Sequence, residues 1–294
     1  MSTSTPSSSF ATRLTALAGQ LSPGGRESRQ LRERASRVSL PFQPLSTPQD
    51  SIWWQLGPHL ERLVDLPRGA LSGPVQEDKA AAHAVLVRLV QVRHTQVESL
   101  DLRQIDGLSC APDDSPHAHL EDYAATPACR SLRVISYKDF LRVIGLALPG
   151  FARSEPLSLR RAGWCGERLF WSGEQHGQAF ASAVAYARMR GLQTSLPAEI
   201  AEYRLSADGL AQMQAQFHML AMPAQAWSDP AFMGLLLDTG LPYSRLALKR
   251  TSSAPEALLL PRSDALANAM GEGLRLAGAP DLTQFLCSLP RAAQ

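Results

Sequence analysis

ERLFWSGEQHGQAF, Glu167 to Phe180, contains the turn on which the reading of this chain depends. A short apolar and aromatic run ends at Trp171, and the Gly-Glu-Gln-His-Gly segment Gly173–Gly177 interrupts it. QAFASAVAYARMR then runs to Arg190 without a proline or glycine. An aromatic run stopped by turn formers reads as a strand, and the alanine-rich stretch reads as a helix with Gly191 as its C-cap. Just upstream, PLSLRR (156–161) and ERLFWS (167–172) flank a glycine-containing turn and read as a hairpin. Downstream, LPAEIAEYRL (196–205) reads as another strand. Before the hairpin, SLRVIS (131–136) reads as a strand, and YKDFLRVIGLAL (137–148) as a helix ended by Pro149-Gly150. The order strand, helix, strand, strand, helix, strand predicts an α+β fold: a small mixed β-sheet with flanking helices.

Three sections follow from there. Residues 1–50 are rich in Ser, Thr and Pro and read as a flexible arm. Within it Arg26, Arg29, Arg32, Arg34 and Arg37 face Glu27 and Glu33, a basic patch that reads as a solvated, fraying helix. Residues 51–205 form the α+β core. Asp50-Ser51 precedes IWWQL, where adjacent Trp53 and Trp54 point about 100° apart on a helix, one to the core and one to an edge. Residues 77–93 read as a helix whose second half can become a strand, and 95–105 as a strand. Residues 206–294 read as a mainly helical section with Ser206, Ser228, Ser263 and Asp281 as caps. Met213, Phe217 and Leu220 recur there at helical spacing, and RLALKR and ALLLP suggest a β-hairpin.

Composition narrows the class. The 294 residues are 45% hydrophobic and 19% charged, as in an ordinary soluble globular protein. No stretch approaches the roughly 20 apolar residues a membrane span requires. A net charge of +2 excludes wholesale electrostatic attraction to nucleic acid. The basic residues are 26 Arg and 3 Lys, a bias that reads as bacterial coding more than as a site. Cys110, Cys129, Cys165 and Cys287 lie far apart without a CxxC pair, which points away from a disulfide framework. The N-terminus lacks the pattern of a secretory signal. Although it is acid-poor, with Phe10, Leu14, Leu17 and Leu21 on one helical face, a cytoplasmic location is the expectation. Charge changes sign along the chain: six acids and one base over 101–122, then eight bases and three acids over 130–168.

The central stretch resembles the core of the ParB N-terminal and sulfiredoxin-like fold over about residues 129–205. The residues that carry the resemblance are the strand into Gly173-Glu174-Gln175-His176, the helix ending at Gly191 and the strand near Pro197. The resemblance implies a Gly-Glu-Arg-Arg or Gly-Cys-His-Arg loop that binds nucleotide phosphates. Gly173 and Glu174 fit the first form, whereas Gln175 and His176 stand where arginines are expected. Phosphate binding at such a corner uses backbone N–H groups at the helix start and a guanidinium's paired hydrogen bonds. The expected ligand residues are therefore Gly173, Glu174, Gln175, His176 and Gly177, with Arg188 as the substitute cation. This implies a non-catalytic or degenerate module that binds nucleic acid, a nucleotide or a protein partner, with no resident cofactor.

Two other constellations compete with it. In PHAHLED, His117 and His119 lie on one side of an extended segment, a spacing that suits a divalent metal, with Glu121 and Asp122 as further ligands or a general base. That pattern resembles the HxHxDH of metallo-β-lactamase-type hydrolases at the two histidines alone. Cys165 and His176, one strand apart, have the residue types of a thiolate nucleophile and its base. A scaffold without a small-molecule site is the remaining alternative.

Overall fold

The computed structural model describes residues 23–47, 50–110, 116–247 and 255–290. In chain order the helices are α1 (Pro23–Ser36), α2 (Gln76–Leu86), α3 (Leu120–Ala124), α4 (Tyr137–Ala147), α5 (Gly177–Arg190), α6 (Ala207–Gln216), α7 (Pro230–Thr239), α8 (Ala265–Leu276) and α9 (Leu282–Ser288). The strands are β1 (Leu71–Ser72), β2 (Val90–Asp101), β3 (Ile105–Leu108), β4 (Leu157–Ala162), β5 (Leu169–Trp171), β6 (Ser195–Leu205), β7 (Phe217–Met222), β8 (Ser244–Ala247) and β9 (Glu256–Pro261). Two small sheets with flanking helices make this an α+β protein, as the sequence predicts. The chain divides into two compact units, which do not follow the expected sections. The unit central in sequence draws on residues 46–65, 87–209 and the end of the chain from Ser288, while residues 66–86 join the N-terminal segment and residues 210–287 in the unit that flanks it in sequence.

The central sheet has the order β2-β6-β4-β5-β3. The expected hairpin is present, with β4 antiparallel to β5 and Leu159 opposite Trp171. β6 lies parallel to β4 and antiparallel to β2, and β3 lies parallel to β5. Because strand side chains alternate, Leu157, Leu159, Trp171, Leu196, Ala198 and Ile200 form one face. They share a core with Phe140, Val143 and Ile144 of α4 and Phe180 and Val184 of α5. α5 is buried on most sides, and its alanines let it lie close to its neighbours. α4 begins with a capping box: the Ser136 hydroxyl accepts from the Asp139 N–H while the Asp139 carboxylate accepts from the Ser136 N–H. Arg160 and Phe170 belong to the opposite face of the sheet, against Trp54. Trp53 packs instead into the main core, 4.8 Å from Tyr123. The adjacent tryptophans thus divide between two environments, from a 3₁₀ turn and not the α-helix expected there.

Ser131–Ser136 is not a strand. A 3₁₀ turn covers Pro127–Leu132, and extended chain leads from it into α4. The apolar alternation is satisfied because Leu132 and Val134 pack on the core without ladder partners.

In the flanking unit α1 does not fray. Leu31 and Ala35 are buried with Leu274 and Met270 of α8. Gly273 permits this approach, since a Cβ there would lie 2.5 Å from the Arg32 carbonyl oxygen and 2.6 Å from the Ala35 Cβ. The second sheet is antiparallel throughout, in the order β1-β8-β9-β7, and includes the expected hairpin of β8 and β9. The helical pattern read through Leu220 stops at Gln216, after which FHMLAM is a wholly buried strand. A strand covered on both faces is apolar without alternation, so periodicity does not separate it from a helix. Inside it the His218 ring packs on Gly271, its Nε2 bonds Asn268 at 2.9 Å, and burial holds its pKa down. Ser206 and Asp281 cap as expected, accepting from Gly209 and Gln284. At α7 and α8 the caps are Asp229 and Asp264, one residue after the expected serines, accepting from the Phe232 and Ala267 N–H groups.

Candidate functional site

The Gly173–Gly177 corner is assembled by packing. Trp171 stacks on Phe180 of the first turn of α5, with centroids 4.3 Å apart and planes at 7°. The Trp171 carbonyl accepts from the Ser109 hydroxyl, and the Ser172 N–H donates to Ser158. Gly173 lies against the Trp171 indole so closely that a Cβ would come within 2.1 Å of the ring. The chain then enters α5 through His176, whose φ of 57° is left-handed. Glu174, Gln175 and His176 are exposed, and no side chain caps the N-terminus of α5. At the base of the loop the Arg160 Nε donates to the Ser172 hydroxyl at 3.2 Å, with its guanidinium over the Trp54 ring. The corner therefore offers a helix start without a side-chain cap and the positive end of a helix dipole, with the Arg160 guanidinium tied to it through Ser172 from the other face of the sheet.

Arg188 is not that guanidinium. It lies at the C-terminal end of α5, about 16 Å along the axis from Gly177 at 1.5 Å per residue. Its Nε donates to the Arg103 carbonyl at 2.9 Å and its Nη2 to the Ile105 carbonyl at 2.9 Å. Nη1 meets the Glu121 carboxylate at 3.0 Å, and Asp106 lies 3.4 Å from Nη2. Burial works to raise the Glu121 carboxyl, but its own backbone N–H and the Arg188 guanidinium outweigh that and hold its pKa below the ordinary value.

The HxH segment is likewise built into the fold. The His117 carbonyl accepts from Ile52, and the His117 ring is half-buried against Tyr123, with centroids 5.3 Å apart. His119 is exposed at the N-cap position of α3, and Asp122 is exposed one turn on. Among the described residues no group of three or more His, Cys, Asp or Glu side chains could hold a metal. Of the residues expected to bind metal, Glu121 is engaged by Arg188.

Cys165 and His176 lie beyond opposite ends of β5. Burial, then the negative Glu61, raises the Cys165 pKa to about 12, the reverse of nucleophile activation. Cys129 is buried and also raised by desolvation, whereas Cys110 and Cys287 are exposed. Iodoacetamide at pH 8, read by peptide mass spectrometry, is expected to label Cys110 and Cys287 quickly and the other two only after denaturation. Fast labelling of Cys165 in the native protein would restore it as a nucleophile.

Two features have no sequence signal. Glu61 Oε1 accepts from the Trp54 indole at 3.3 Å and pairs with His59 Nδ1 at 3.3 Å. This fixes Trp54 beneath Arg160, a relation that only the fold creates. In the flanking unit a cleft of about 780 Å³ is lined by Asp78, Gln216, Tyr243, Arg262 and Asp264. Burial, then the negative charges of Glu77 and Asp264, raises the Asp78 pKa. These residues come from distant parts of the chain, so no local motif marks them.

Residues 95–294 match the model of a family of unknown function, DUF6685, and the chain belongs to that family. No curated protein and no solved structure matches it. Among the described residues no helix is long and apolar enough to cross a membrane.

Proposed function

We propose that this DUF6685 protein is a non-catalytic binding module whose Gly173–Gly177 corner takes a phosphate-bearing ligand, a nucleotide or a nucleic-acid backbone. The observation that carries the reading is the uncapped start of a fourteen-residue helix at an exposed loop with Arg160 at its base. Helix N-termini bind anions through free N–H groups and the dipole. The ParB N-terminal/sulfiredoxin-like resemblance supplies the same ligand class for this loop, and Arg160 takes the part expected of Arg188. Glu174 opposes a bare anion, so the ligand must offer it a hydroxyl or amino donor, as a nucleoside does. The metal-dependent alternative is weaker because Glu121 is paired with Arg188.

Calorimetric titration with ATP, CTP and GTP, and polarisation with labelled single- and double-stranded DNA, test this. At least one ligand is expected to bind in the micromolar range, more weakly as salt rises. Arg160→Ala should lower the affinity at least about tenfold, as expected for one charge-assisted hydrogen bond of about 1.5–3 kcal/mol. Glu174→Gln should weaken nucleotide binding, because the ligand's donor loses its charged acceptor. Absence of binding to every ligand, or binding untouched by both substitutions, overturns the proposal.

A further inference from the structure

Helix α4 is apolar on two faces. Phe140, Val143, Ile144 and Ala147 face the core, as an amphipathic helix requires. The outer side should then be polar, yet Tyr137 is 57%, Leu141 41% and Leu146 42% exposed, and Ile135 just before the helix is 67% exposed. Four of the eight large apolar side chains exposed among the described residues therefore lie within residues 135–146. Exposed apolar residues are ordinary when scattered, but a contiguous group marks an interaction surface. Tyr137, Leu141 and Gly145 follow one another at i+4 spacing along the outer side. A Cβ at Gly145 would meet nothing within 4 Å, so this row ends in an open notch. The adjacent row is Lys138, Arg142 and Leu146. Tyr137 is held in place by stacking on Phe140, which stacks in turn on Tyr186.

We propose that the outer face of α4 docks an amphipathic helix of a partner protein that carries leucine-like side chains at i, i+4 spacing flanked by Glu or Asp. The apolar row and its notch match the teeth of such a helix, as in the packing of one helix's ridges into another's grooves. Charge selects its polar flank. Lys138 and Arg133 have no ion-pair partner among the described residues. Arg142 is 56% exposed and only loosely paired with Asp139 at 3.7 Å. Asp139 is itself bonded back to Ser136, so the surface presents cations to an incoming chain. Three basic side chains are too few for an anionic membrane, where electrostatic anchoring takes clusters of about four to eight. A contact made by one helix face belongs with the weak, transient class of interfaces, with a Kd on the order of 10–100 µM.

The probe is a fluorescein-labelled helical peptide of about 18 residues, about five turns at 3.6 per turn, with Leu at i, i+4 positions and Glu on their flanks. Its counterpart carries Lys in place of Glu, and phosphatidylserine vesicles form a third arm. Polarisation with the full chain is expected to favour the Glu peptide about tenfold, the effect of two modest ion pairs. Leu141→Glu should abolish binding. The double variant Lys138→Glu, Arg142→Glu should reverse the preference towards the Lys peptide, a gain of signal that a misfolded variant cannot give. Equal binding of both peptides, no binding of the Glu peptide at about 1 mM (a free energy near −4 kcal/mol) or vesicle binding without peptide discrimination overturns the inference. Arg160→Ala leaves peptide binding unchanged, so this test and the ligand test at the Gly173 corner fail independently.

Discussion

Replacing Arg188 by alanine is expected to destabilise the central unit by about 3 kcal/mol. The side chain joins the last turn of α5 to the carbonyls of Arg103 and Ile105 and to the Glu121 carboxylate of α3. Its removal takes a charged donor from two part-buried carbonyls and leaves two carboxylates, Glu121 and Asp106, without this cation. Hydrogen bonds from a charged donor contribute about 1.5–3 kcal/mol each, and the carboxylate contacts count for less because both acids are substantially exposed. The midpoint of thermal unfolding should fall by roughly 6–10 °C. Tryptophan fluorescence is the suitable probe, since Trp53, Trp54, Trp164 and Trp171 are in the central unit and only Trp227 lies outside it. Arg188→Lys should restore little, because an ammonium cannot fork to three acceptors at once. The acid limb also reports the contact. Glu121 is held below its ordinary value of 4.5, so its contribution is intact above about that pH and is lost as pH falls further. That part of the wild-type stability curve should flatten in Arg188→Ala. A loss below about 1 kcal/mol, within the range of an ordinary surface change, would mean that the guanidinium is a spectator.

How much of this was legible differs by element. The hairpin of β4 and β5, α4, α5 and β6 could be read because each carries a local signal: alternation, a Pro-Gly stop, or a C-cap glycine. β7 could not, since a strand buried on both faces has no polar residue to mark its period. SLRVIS alternates like a strand, but only a partner strand makes it one, and the chain places none beside it. The Gly173–Gly177 corner was located from sequence, though not its chemistry. The cation at its base is Arg160, one strand pairing away on β4, while Arg188 is spent at the opposite end of α5. HxH spacing placed His117 beside His119 but carried no information about the Tyr123 and Trp53 rings that take up His117.

Gly173→Ala should destabilise the central unit by about 2–3 kcal/mol, the range for forcing an atom into a packed interior. Gly173 does not have a positive φ, so the requirement is for space and not for backbone freedom. An added methyl would lie 2.1 Å from Trp171 Cζ2 and 2.4 Å from Cε2, and the indole has nowhere to go. It is buried, stacked on Phe180 and anchored through its carbonyl by Ser109. Relief must come from moving the loop away from the ring, which displaces the start of α5 and any ligand bound there. Two roles for the glycine then give different results. A glycine kept for close ligand approach would, on gaining a methyl, lose binding at unchanged stability. A glycine kept for packing loses stability first, by denaturant unfolding with no ligand present. The exposed neighbour Glu174 supplies the contrast, since Glu174→Ala should stay within about 0.5 kcal/mol of wild type. Equal stability of Gly173→Ala and wild type would show that the Trp171–Phe180 stack yields, and that the corner is less rigid than its packing indicates.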